Sequence, residues 1–102
     1  MLRVFRKRPD PKDILNPGGR PVGRQGKKPK VREKDGGKKA ADNLYDKLRK
    51  GGKPDTPKNY PGEGTRLPNG DWVGKRSKSK SGDPAIDLDI KDFPYNKIHF
   101  PD

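Results

Sequence analysis

Apolar and polar residues alternate most regularly in the last third of the chain, VGKRSKSKSGDPAIDLDIKDFPYNKIHF, residues 73 to 100. In a strand successive side chains point to opposite faces, so Ile86, Leu88 and Ile90 form one row and Ala85, Asp87 and Asp89 the other. Ile98 and Phe100 alternate in the same way with Lys97 and His99. If the apolar rows meet on a shared core, Asp87, Asp89, Lys97 and His99 are left together on the exposed face of a small sheet. The spacing predicts four strands, Thr65 to Leu67, Trp72 to Arg76, Ala85 to Ile90 and Lys97 to Phe100, with short links that favour antiparallel neighbours. Between the first two, Pro68-Asn69-Gly70-Asp71 predicts a tight hairpin with Asn-Gly in a type I′ turn.

Upstream the period changes. Between Asp35 and Gly52 the sequence predicts one helix of about three to four turns, with Ala40 or Ala41, Leu44 and Leu48 at helical spacing. Gly51 supplies its stop, and Arg49 and Lys50 suit the negative end of the helix dipole. So short a helix is marginal alone, and the only apolar surface on offer is the sheet. The expected fold is α+β: one N-terminal helix on a small four-stranded antiparallel sheet. Lys53 to Gly64 is expected as a loop, with Tyr60 a plug over the core.

Residues 1 to 36 show no sustained period. Up to residue 39 there are 14 Lys/Arg against 4 Asp/Glu, whereas residues 40 to 102 carry 12 against 10, so most of the net charge of +12 lies in the leader. Five prolines, six glycines and only eight apolar residues in that stretch predict a flexible basic arm or linker, residues 1–36, ahead of a folded unit, residues 37–102. An arm of this kind attracts any polyanion in a salt-dependent way. A chain of 102 residues, 25% apolar and 39% charged, allows one domain at most and no large core. It has no cysteine, which excludes disulfides and thiolate metal sites. No apolar run has signal-peptide length and none is long enough to span a bilayer.

The connection after the second strand concentrates candidate chemistry. Lys75, Arg76, Ser77, Lys78, Ser79, Lys80, Ser81 and Gly82 form a grip suited to phosphate: arginine donates in a fork, lysines add point charge, and hydroxyls and loop amides complete the shell. The same composition also suits an ordinary flexible loop. Its position argues for function, because Arg76 and Asp87 bracket the loop on strands whose exposed rows include Lys97 and His99.

The order Ala41-x-x-Leu44-x-x-x-Leu48, Gly-Gly, the Pro-Asn-Gly-Asp hairpin, Arg76-x-Ser-x-Ser-x-Ser81-Gly82-x-Pro84-x-Ile86-Asp87 and Lys97-Ile-His99-Phe100 resembles the C-terminal toxin domains of bacterial polymorphic toxins. These are carried on Rhs-repeat and contact-dependent inhibition proteins. The resemblance covers roughly residues 38 to 100. It implies the ribonuclease superfold of barnase and the colicin-type tRNA nucleases. It also implies a domain delivered as part of a larger secreted or cell-surface toxin, active in the target bacterial cytoplasm and paired with a dedicated immunity protein.

Metal-free RNA cleavage fits the residues on this face. Attack of a ribose 2′-hydroxyl on its own phosphate needs a base of near-neutral pKa, an acid for the leaving oxygen, and cations against the developing charge. His99 is the only side chain whose unperturbed pKa lies in that range. Lys97 and Arg76 supply charge, a hydroxyl of Ser79 or Ser81 holds a phosphate oxygen, and Asp87 orients His99 or Arg76. Lys75, Ser77, Lys78, Ser79, Lys80 and Trp72 are the expected substrate-binding residues. No cofactor or metal is required. The expected partners are RNA, tRNA or rRNA, and an immunity protein with an acidic face, the domain being otherwise monomeric and away from membranes.

Two rival readings remain at this stage. Asp87, Asp89 and Lys91 spell Asp-x-Asp-x-Lys, a pattern that holds Mg2+ in metal-dependent nucleases. Trp72, Tyr60 and Tyr95 beside the basic arm suit a non-enzymatic RNA-binding module.

Overall fold

The fold was analysed in a computed structural model, which describes residues 10–77 and 82–102. Its architecture is α+β, with a single mixed sheet of seven strands and two α-helices among the described residues. The helices are α1 (Pro11–Leu15), followed by a 3-10 turn at Pro17–Gly19, and α2 (Gly37–Leu48). The strands are β1 (Arg24–Gln25), β2 (Val31–Glu33), β3 (Lys53–Pro54), β4 (Glu63–Arg66), β5 (Trp72–Arg76), β6 (Ala85–Asp89) and β7 (Lys97–His99), in spatial order β1-β2-β7-β6-β5-β4-β3.

This corrects the expected fold of one helix on four antiparallel strands behind a flexible arm. The antiparallel run β4-β5-β6-β7 is present, but β3 extends it on one side. On the other side β2 pairs with β7 in parallel, Arg32 against Ile98, and β1 folds back antiparallel on β2. Residues expected in the arm therefore supply two strands and a helix. Leu15 and Val22 from this segment are buried in the same core cluster as Ile98 and Phe100. Arg32, itself buried, ties the segment down: Nε donates to Val22 O (3.1 Å) and Nη2 to Gly23 O (2.8 Å), with the guanidinium 4.9 Å from the Tyr95 ring centre.

One face of the sheet carries the core. Val73, Ile86, Leu88 and Ile98 lie beneath Ala41, Leu44, Tyr45 and Leu48 of α2, which recur at helical spacing. Tyr45 reaches across, its hydroxyl 2.8 Å from Thr65 Oγ1 on β4. The N-terminus of α2 meets the end of the chain, where the amides of Gly36 and Gly37 both donate to Pro101 O at 3.0 Å.

The β4–β5 hairpin also differs from expectation. The Gly70 amide donates to Leu67 O (2.9 Å), so Pro68 and Asn69 are the central turn residues and Gly70 follows at φ 95°. Proline pre-sets the first central position of an ordinary turn, and the positive φ falls on glycine alone. Asn69 instead accepts the Asp71 amide on its side-chain oxygen (3.0 Å).

Candidate functional site

The register fixes what stands on the face of the sheet away from α2. On adjoining strands Gly74, Asp87 and Lys97 form one row, and Arg76, Ala85, His99 and Glu33 the next. Of Asp87, Asp89, Lys97 and His99, expected together from alternation, the register brings Asp87, Lys97 and His99 onto one patch with Arg76, while Asp89 stands on the same face opposite Trp72. Ala85, the small residue at its centre, is fully buried beneath them.

Asp87 is the hub of the patch. Its Oδ1 accepts from Arg76 Nη2 (3.0 Å) and lies 3.9 Å from Lys97 Nζ. Its Oδ2 accepts from the Tyr60 hydroxyl (2.7 Å). Arg76 Nε is 2.9 Å from the same Oδ2 but off the hydrogen-bonding direction, and among the described residues this buried donor meets no well-aligned acceptor. The pairing is sheltered, with side-chain exposures of 14% for Arg76, 19% for Asp87 and 30% for Lys97. Charge pairs at this depth are screened less than surface ones.

Two titrations are displaced. Burial first, and then the positive charge of Lys97, hold the His99 pKa below its ordinary value, against weaker opposing pulls from Asp83 and Glu33. The imidazole is therefore neutral at pH 7 and able to accept a proton. Burial, followed by the hydrogen bond to Asp87, raises the Tyr60 pKa, so that hydroxyl stays protonated and acts as a fixed donor.

Tyr60 reaches Asp87 because the sheet leaves room for it. Gly64 and Gly74 are paired across β4 and β5. A Cβ on Gly64 would lie 2.5 Å from the Trp72 ring, and one on Gly74 would lie 2.5 Å from the Tyr60 hydroxyl. The glycine pair is a trough that the two rings fill, Tyr60 edge-on to Trp72 with centroids 5.3 Å apart. Sequence reading placed Tyr60 over the core and missed its link to Asp87. The available signal was Gly74 inside one predicted strand and Gly64 directly before the start of its neighbour at Thr65.

The remaining expected residues divide. Trp72 stands on the same face, its indole nitrogen donating to Asp55 O (2.7 Å). Ser77 is exposed just past the end of β5. Lys75 lies on the opposite face, where Nζ meets Asp42 of α2 at 2.7 Å and lies 5.3 Å from the Tyr45 ring centre. It joins helix to sheet, away from His99. Lys78, Ser79, Lys80 and Ser81 lie outside the described residues. Asp89 shares the face of Asp87 but is exposed and opposes Trp72. Lys91 comes after the end of β6, where its backbone amide donates to Asp71 Oδ1 (3.1 Å). Among the described residues no three or more His, Asp or Glu side chains converge as metal ligands, and none of the helices is long and apolar enough to cross a membrane.

No family model, curated protein or solved structure matches this chain.

Proposed function

We propose that the chain is a metal-independent ribonuclease that cuts RNA by internal transesterification at the patch formed by Arg76, Asp87, Lys97 and His99. The supporting observation is His99 on the same face as Arg76 and Lys97, two sheltered cations gathered by Asp87, with burial pushing the imidazole pKa down. His99 takes the proton of the ribose 2′-hydroxyl. The 2′-oxygen attacks phosphorus, the bond to the 5′-oxygen breaks, and the leaving oxygen departs with a proton from the Lys97 ammonium. The products are a 2′,3′-cyclic phosphate and a 5′-hydroxyl end. Arg76, held by Asp87, sets its positive charge against the charge building on the phosphoryl oxygens. Ser77 stands at the start of the loop next to Arg76, and the sequence of that loop, Lys78 to Ser81, outside the described residues, carries the hydroxyls and lysines assigned to the phosphate grip.

The biological setting follows from the resemblance of the Ser-Gly-x-Pro-x-Ile-Asp and Lys-Ile-His-Phe segments to polymorphic toxins. On that reading the chain is a toxin of interbacterial competition, and its immunity protein covers the patch with an acidic face. Incubating the purified chain with total bacterial RNA in excess EDTA tests the activity. Discrete fragments with cyclic-phosphate ends are expected. RNA left intact at micromolar protein, or cutting only on addition of Mg2+, contradicts the proposal.

A further inference from the structure

We propose that Trp72 and Tyr60 form a subsite for one unpaired nucleobase beside the phosphate-binding patch, so that the substrate is single-stranded or looped RNA. The inference rests on reading this face as an RNA-cleaving site, and adds which part of the RNA it grips and in what state.

Trp72, Gly74 and Arg76 follow one another at two-residue steps on one face of β5, and Asp89, Asp87 and Ala85 face them across β6. Each step is about 7 Å. The aromatic pair therefore occupies the end of the face that adjoins the ion cluster, and Tyr60 reaches into the row of Asp87 and Lys97 through its hydroxyl. On this proposal a nucleotide with its phosphate at Arg76 and His99 carries its base toward this end.

The pair is built to stay in place. Both side chains are half-buried, and each polar tip is satisfied, Trp72 by Asp55 O and Tyr60 by Asp87. The rings meet edge to face at 83°, and the glycine trough admits no Cβ beneath them. An amphipathic ring with few rotors and a fixed tip gives contact area at low entropic cost. Two such rings on the polar face of a chain carrying net charge +12 suit a ligand with an anionic backbone and a π-face. Every base has a π-face, so the subsite tolerates all four bases, but it requires that the base be out of a duplex.

Trp72 is the only tryptophan in the chain, so its fluorescence reports on this subsite directly. The full chain is titrated with a 5′-labelled 2′-O-methyl oligouridylate, which lacks the attacking hydroxyl. Label anisotropy reports binding while tryptophan emission reports stacking. Emission is expected to fall in step with anisotropy, and to stay unchanged with inorganic polyphosphate or with the same oligonucleotide annealed into a duplex. Trp72→Ala is expected to weaken single-strand binding about ten-fold, with Trp72→Phe recovering most of it. Oligonucleotide binding without quenching, equal quenching by polyphosphate, equal binding and quenching by the duplex, or a folded Trp72→Ala variant binding as the parent does each overturns the subsite. Cleavage in EDTA is scored separately on unmodified RNA. Cutting without quenching removes the subsite and leaves the ribonuclease. Quenching without cutting removes the ribonuclease and leaves an RNA-binding face.

Discussion

Arg32→Met tests whether the basic N-terminal segment is held in the fold. The substitution keeps an apolar stem beside Ile98 and removes the guanidinium. Val22 O and Gly23 O then lose their donors at 3.1 and 2.8 Å, Pro21 O and the Tyr95 hydroxyl lose longer, weaker ones at 3.3 and 3.4 Å, and the Tyr95 ring loses its cation. Hydrogen bonds from a charged group contribute about 1.5–3 kcal/mol each. Two of them give a gross loss of about 3–6 kcal/mol, part of which returns because the guanidinium no longer has to be desolvated. A net loss of about 2–3 kcal/mol is expected, a large fraction of the roughly 5–15 kcal/mol that holds a small domain. At about 4–8 °C per kcal/mol for a chain near this size, Tm falls by roughly 8–24 °C. Urea unfolding followed by circular dichroism supplies the free energy, and a thermal scan supplies Tm. A variant within about 0.5 kcal/mol of the parent, the range of an inconsequential surface change, would mean that residues 20–33 are not docked as described.

Four further outcomes follow from specific contacts and from the His99 titration. Tyr45→Phe leaves Thr65 Oγ1 without its 2.8 Å partner and is expected to cost about 1 kcal/mol in urea unfolding. Removing Pro101 and Asp102 takes away the acceptor of the Gly36 and Gly37 amides and the carboxylate beside the α2 N-terminus, lowering stability by about 1–2 kcal/mol in the same assay. The pKa of His99 is depressed on folding, so below its unfolded value near 6.5 the unfolded chain binds the extra proton; this contribution to stability is present above that pH and lost as pH falls through the folded pKa. For the same reason the acid limb of the kcat/KM profile for RNA cleavage should have its midpoint below pH 6.5, and a midpoint above that value would remove His99 as the base.

The legibility of the chain follows the length of its elements. Period-two alternation over Ala85–Asp89 and Lys97–His99 is long enough to place Asp87, Lys97 and His99 on one face, and the structure puts them there. Helical spacing marked Ala41, Leu44 and Leu48, although Tyr45 joins them because its hydroxyl finds Thr65. The segment before Gly36 could not be read this way. Its helix has five residues and its first strand two, too short for a period to repeat, and in Val31–Glu33 the core-facing position is taken by Arg32, so no apolar residue marks the alternation. What orders them is tertiary: a parallel pairing with β7, far away in sequence, and a buried arginine that local composition counts only as charge. Lys75 was expected beside the phosphate loop; alternation along β5 sends it to the side of Asp42, while Arg76 and Trp72 share the face of His99 and Asp89. Tyr60 lies in a loop, where no period applies, and its partner Asp87 is 27 residues away.

The most direct test of the proposed chemistry is the single-turnover rate of RNA cleavage by His99→Ala against the parent, both in excess EDTA and both confirmed folded by circular dichroism. His99 is half-buried at the outer end of β7 and on the face away from α2, so its removal should leave the core intact. The account predicts a loss of about 100-fold or more, the usual worth of a positioned general base, with RNA affinity little changed. A folded His99→Ala chain that cuts at the parent rate would contradict it.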